Sequence, residues 1–115
     1  MHATPARIPI YLKMEIKEMQ EEAWKVIKEY NKKHGLEHKK ETVFLHLIEE
    51  IGELARELAK ETNDWRKEGF SKEKVEEELV DVLAQILYFA KDQEIDIEEA
   101  FKSKILKLRK RFELE

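Results

Sequence analysis

Four acidic residues stand in two short phrases whose spacing could do chemistry: Glu50-Ile51-Gly52-Glu53 and Glu78-Leu79-Val80-Asp81. In each phrase the two carboxylates are three residues apart within a run of helical periodicity, so both project from the same side of their helix. At about 100° per residue each pair falls on the flank of its helix's apolar stripe, displaced in the same rotational sense. Two antiparallel helices facing each other would bring these flanks together in one groove. Four like charges held there repel, and desolvation at a core edge adds to the cost of ionising them, so the cluster calls for a cation or for shifted pKa values. Mg2+, with Mn2+ as a substitute, suits an all-oxygen donor set whose coordination is completed by water and phosphate. A ferritin-like di-iron site needs a histidine three residues after a glutamate on two helices, and none of His2, His34, His38 or His46 meets that spacing. Spacing alone leaves the simpler reading open, because a chain with 26 acidic residues contains Glu-x-x-Glu on solvated faces too.

The elements that must position these groups are helices. Only three Gly and two Pro occur, both Pro near the N-terminus, and apolar residues recur at three and four residue steps beyond them. A first helix carries Leu12, Ile16, Met19, Ala23, Val26, Ile27 and Tyr30 and ends at Gly35. A second starts near Thr42 as N-cap and buries Phe44, Leu47, Ile48, Ile51, Leu54, Ala55 and Leu58. A loop with Trp65, Gly69 and Phe70 leads to a third, capped by Ser71, with a main stripe of Val75, Leu79, Val82, Leu83, Ile86, Phe89 and Ala90. Val80, Ala84 and Tyr88 form its second stripe. Asp96 and Glu99 have capping-box spacing before a fourth helix lined by Ile97, Phe101, Ile105, Leu108 and Phe112. The expected fold is all-α, a four-helix bundle-like domain spanning residues 1–115. A third helix apolar on two sides must bury both, which predicts completion by a homodimer or homotetramer.

Composition narrows the functional classes. The 22 basic against 26 acidic residues give a formal charge of −4, which offers no global attraction for a nucleic acid polymer. The absence of cysteine removes thiolate metal sites and thiol nucleophiles. No apolar stretch is long enough for a membrane span or signal peptide, so a cytoplasmic location without membrane partners is expected. Lys104, Lys107 and Arg111 share one flank of the last helix, as a cationic clamp for a polyphosphate would require, and equally as a solvated basic face would show.

The acidic phrases in their context, Leu47-Ile48-Glu49-Glu50-Ile51-Gly52-Glu53-Leu54-Ala55 and Glu77-Glu78-Leu79-Val80-Asp81-Val82-Leu83, resemble the MazG-like all-α nucleoside triphosphate pyrophosphohydrolases. That family is recognised by Glu-Glu-x-x-Glu followed by Glu-x-x-Asp. Its closing helix often carries a phrase like Lys-Phe-x-x-Arg-Phe, read here as Lys107-Leu108-Arg109-Lys110-Arg111-Phe112. The resemblance runs from about Met19 to Phe112 and is weakest over the first helix and the Trp65 loop. It implies Mg2+-dependent hydrolysis of a nucleoside triphosphate to monophosphate and pyrophosphate by water attack at the α-phosphorus. By motif position Glu50, Glu53, Glu78 and Asp81 would hold metal. Glu53 ranks above Glu49 as the group that orients the attacking water, Glu49 lying further toward solvent. Lys107 and Arg111, with Lys104, would bind the polyphosphate. Two alternatives are a phosphoribosyl-ATP pyrophosphohydrolase, whose relatives usually word the second motif differently, and a non-catalytic helical oligomerisation module.

Overall fold

The computed structural model describes residues 14–36, 39–62 and 69–114, and these form four α-helices with no strand among them. They are α1 (Ile16–Lys33), α2 (Lys40–Thr62), α3 (Lys72–Asp92) and α4 (Ile97–Arg111). The all-α expectation is therefore met. Leu12, His38 and Trp65 lie outside the described residues.

Local chemistry sets most helix ends. Gly35 takes a φ of +62°, and the Leu36 N–H reaches back to the Asn31 carbonyl at 2.8 Å, which closes α1 as a left-handed glycine terminus does. The Ser71 hydroxyl accepts from the Lys74 N–H at 3.4 Å, and the Asp96 carboxylate accepts from the Glu99 N–H at 3.2 Å. Two expectations need correction. Helix α2 begins at Lys40, with the Val43 N–H bonded to the Lys39 carbonyl at 3.0 Å, so Thr42 sits inside the first turn and does not cap it. The good helix formers Lys40 and Glu41 extend the helix past the threonine. The Asp96 capping box is only half made, because the Glu99 carboxylate faces Lys102 Nζ at 3.6 Å along its own helix.

Helix α3 is central. It packs along α2 on one side and against α1 on another, whereas α4 touches only α1 and α3, and more lightly. The α2–α3 pair is antiparallel: Phe44 near the start of α2 meets Phe89 near the end of α3, ring centroids 4.6 Å apart, while Glu50 further along α2 faces Asp81 earlier in α3. Helix α1 is tied to the C-terminal half of α3 and the turn beyond it. Lys91 donates to the Glu21 carboxylate, and Gln20 Nε2 donates to the Ile95 carbonyl at 2.9 Å.

This arrangement buries only part of what the periodicity assigned to the core. Tyr88 is the deepest side chain at 1% exposure, with Val43, Leu87 and Ala90 beside it. Val80, one end of the same secondary stripe on α3, remains 60% exposed, whereas α1 meets α3 toward its C-terminal end, where Asn31 bonds Tyr88 and Glu21 bonds Lys91. Phe101 and Phe112 of the α4 stripe are exposed, and no α4 residue is fully buried. The radius of gyration, 17.3 Å, exceeds the roughly 13 Å of a compact chain this long.

Candidate metal and nucleotide site

The antiparallel α2–α3 pair unites the two acidic phrases. Glu50 of α2 and Glu78 and Asp81 of α3 each present a carboxylate oxygen, all three within 4.8 Å of one another. The i, i+3 spacing puts Glu78 and Asp81 on one side of α3, and the flank of α2 that carries Glu50 faces them. Glu50 and Glu78 are partly buried and Asp81 is exposed, so the cluster opens to solvent along α3.

The electrostatics are those of crowded anions. Desolvation raises the Glu50 carboxyl above its ordinary value, with the Asp81 charge as the next cause and the lesser effects of Glu53 and Glu49 opposed by His46. Glu78 is raised likewise, by desolvation first and then by Asp81, Glu50, Glu53 and Glu57. Three hard oxygen donors at this separation fit a divalent cation such as Mg2+ and offer nothing to a soft metal.

The other sequence-derived residues lie around this core of three. Glu53 stands outside the converged group, half-exposed, with Oε2 at 3.6 Å from Arg56 Nη1. Its charge still reaches both Glu50 and Glu78. Glu49 is exposed and acts on Glu50 only as the weakest of its electrostatic neighbours. Lys104, Lys107 and Arg111 are exposed on α4, and among the described residues none of them pairs with an acidic group of the cluster. His46 Nε2 lies 3.5 Å from Glu50 Oε1, one helical turn earlier on α2. Trp24 is flanked by Lys28 Nζ at 4.7 Å and Lys91 Nζ at 5.9 Å from its ring centroid, so its faces meet cations. A Cβ added at Gly52 would meet no atom within 4 Å, which leaves a bare strip of α2 between Glu50 and Glu53.

Among the described residues three polar side chains are buried without a mark in the sequence: Gln20 of α1, whose amide donates to the Ile95 carbonyl, and Glu57 and Gln85. Glu57 is 8% exposed on α2; Lys60 Nζ donates to its Oε1 at 2.9 Å, and Oε2 is buried without a partner. Gln85 is buried on α3, one turn beyond Asp81. Both fall on helix positions that pattern alone assigns to a polar face, and only the approach of the neighbouring helices buries them.

The family model of the MazG nucleotide pyrophosphohydrolase domain matches residues 38–113, which takes in both acidic phrases and the basic flank of α4 and leaves α1 outside. No curated protein and no solved structure gives a significant match. No helix among the described residues is long and apolar enough to cross a membrane.

Proposed function

The chain belongs to the MazG nucleotide pyrophosphohydrolase family, and we propose that it is a Mg2+-dependent enzyme that hydrolyses ribo- or deoxyribonucleoside triphosphates to the monophosphate and pyrophosphate. The observation that carries this reading is the convergence of carboxylate oxygens from Glu50, Glu78 and Asp81 across two helices.

In this reading Glu50, Glu78 and Asp81 hold the cation, with Glu53 joining them once its carboxylate swings from Arg56. A bound divalent ion would neutralise phosphate oxygens as negative charge builds on the leaving pyrophosphate. Glu53 accepts a proton from the water that attacks the α-phosphorus and keeps that water aimed, its half-exposed position giving it access to solvent. Glu49 stands behind it as a supporting carboxylate. The open strip at Gly52 lets a phosphate approach α2 closely. Lys104, Lys107 and Arg111 bind the polyphosphate chain, a task for which exposed, unengaged cations are suited.

Residues 1–115 act as one domain in this scheme, placed in the cytoplasm with its triphosphate substrates, and the functional unit is a homodimer or homotetramer. Supporting the assembly are the exposed apolar side chains of Leu79, Val80 and Leu83 on α3 and of Phe101, Leu106 and Phe112 on α4. Turnover of a panel of ribo- and deoxyribonucleoside triphosphates, with Mg2+ and with EDTA, tests the proposal. Metal-dependent release of pyrophosphate is expected; orthophosphate as the product, or no product from any triphosphate, would overturn it.

A further inference from the structure

One carboxylate is held in a way that its own helix does not explain. Glu57 is only 8% exposed, Lys60 Nζ donates to its Oε1 at 2.9 Å, and Oε2 is buried with no hydrogen-bond partner. Among the described residues it is the one buried side-chain oxygen or nitrogen in that condition. The ion pair accounts for the oxygen that Lys60 meets and leaves the other unaccounted for. A Glu–Lys pair three residues apart forms equally well on a solvated face, where both oxygens keep their water, so Lys60 is no reason to bury the carboxylate. Buried acceptors of this kind are matched in folded proteins by an ordered water or an ion.

Its place on α2 narrows that choice. Glu57 stands seven residues after Glu50 and four after Glu53, within about 20° and about 40° of them around the helix, so it continues the flank of the first acidic phrase. Among the described helices α2 packs on α3, which brings Glu78 to this flank. The Glu78 carboxyl is raised by desolvation first, then by the charges of Asp81, Glu50, Glu53 and Glu57. Yet Glu57 is not one of the three carboxylates whose oxygens lie within 4.8 Å of one another. It stands outside the converged oxygens and inside their field. A Mg2+ ion held by few carboxylates keeps several waters at about 2.1 Å, each of which donates over a further ~2.7 Å, so its hydration reaches acceptors about 5 Å from the ion. A carboxylate fixed through one oxygen and bare at the other, next along the flank from the direct donors, is placed for such a water.

We propose that Glu57 is an outer carboxylate of the cation site: its free oxygen accepts a hydrogen bond from water that the cation retains, while Lys60 fixes the orientation of the group. The inference rests on the cation reading of Glu50, Glu78 and Asp81, and it adds a residue that lies outside both acidic phrases. Glu57 is a positioning residue, since it reaches the ion only through water. Hydrogen bonds of this outer kind hold the hydration shell in one arrangement, and their loss weakens the ion's binding with every direct donor still in place.

Calorimetric titration of Mg2+ into the metal-free protein, without nucleotide and in about 0.15 M salt to screen distant charges, compares wild type with Glu57→Gln. The glutamine has the same shape and keeps an acceptor for Lys60, but it sets an NH2 group where the water requires an oxygen. The variant should bind Mg2+ about tenfold more weakly or worse. Its thermal midpoint in EDTA should equal or exceed that of wild type, because no hydrogen bond within the protein is lost. Unchanged Mg2+ affinity would overturn the proposal and leave the cation site standing, and a lower midpoint in EDTA with affinity intact would make Glu57 a structural partner of Lys60. Glu61→Gln removes the same charge from an exposed position one turn further along α2 and should change the affinity by less than about twofold. An equal loss there would mean that net charge alone is at work and would also overturn the proposal. Glu57→Met repeats the titration should the glutamine variant fail to fold. A wild type that binds no Mg2+ would reject the cation site and this inference with it, whereas one that binds Mg2+ and hydrolyses no triphosphate would reject the pyrophosphohydrolase reading alone.

Discussion

Glu50 on α2 and Asp81 on α3 present carboxylate oxygens within 4.8 Å of each other, and Asp81 is the largest single charge raising the Glu50 carboxyl. Such a pair serves a cation better than it serves the fold. Glu50→Gln and Asp81→Asn should therefore each cut kcat/KM by about a hundredfold or more while leaving the helical signal intact. In EDTA their thermal midpoints should match or exceed wild type, because each removes repulsion. Steady-state kinetics with circular dichroism melts checks this, and near-normal turnover in both variants would remove the site.

Glu53 and Glu49 separate the remaining roles. Glu53 lies beside the converged oxygens and is restrained by Arg56 at 3.6 Å, whereas Glu49 points to solvent. Glu53→Gln should lower kcat by about a hundredfold with a smaller change in KM, as loss of a group that acts on the attacking water would do. Glu49→Gln should stay within about threefold of wild type. Equal losses at the two positions would show that the ranking is wrong.

Gly52 offers a case in which stability and activity should move in opposite directions. It sits in the interior of α2, and an added Cβ would meet nothing within 4 Å, so close packing inside the chain does not require a glycine. Gly52→Ala should stabilise the protein by about 0.5–1 kcal/mol through helix propensity alone. If the bare strip admits a phosphate, the same methyl should raise KM for the triphosphate. Urea unfolding and kinetics on one preparation read both quantities, and a gain in stability with unchanged KM would return Gly52 to a neutral position.

Much of this could be read from the chain because helices convert sequence spacing directly into geometry. The Ser71 and Asp96 caps and the Gly35 terminus are local devices, and each formed where its residues predicted, whereas of the two acidic pairs Glu78 and Asp81 meet Glu50 and Glu53 stays outside. The burial pattern was less legible. Val80 and Tyr88 read as members of one stripe, yet one is open and the other fully covered, because which half of α3 meets α1 is a property of helix crossing and not of periodicity. The burial of Gln85 and Glu57 is illegible for the same reason: nothing in their own helices distinguishes a polar residue under a neighbouring helix from one in water.

The raised carboxyls also fix the sign of the pH response. Glu50 and Glu78 lie above the ordinary 4.5 in the folded protein, so folding without metal takes up protons at these positions. Their destabilising effect is fully present above the raised values and disappears as pH falls below the unfolded value. Asp96 acts oppositely: the Glu99 N–H holds it below 3.8, and its stabilisation, present above that value, is lost as pH falls through the depressed one. Mg2+ should raise the thermal midpoint near neutral pH, and that increment should shrink as protons compete for Glu50 and Glu78. Melts with and without Mg2+ from about pH 7.5 to about pH 5 measure it, and an increment that grows toward acid pH would contradict the carboxylate site.

Assembly provides the last prediction. Phe101 is 64% exposed on α4, and Leu79 and Val80 are more than half exposed on α3, although each belongs to a stripe with core periodicity. A single copy leaves these stripes in water, and a second copy that covers them recovers about 25 cal/mol per Å2 of apolar surface. The protein should therefore sediment as a dimer or tetramer at micromolar concentration. Phe101→Glu, a change at a mostly exposed position of the single chain, should shift that equilibrium toward the monomer if α4 joins the interface, and Val80→Glu should do so if α3 does. Sedimentation equilibrium distinguishes the two, and a wild-type monomer at every concentration would show that the open stripes are a property of the isolated domain.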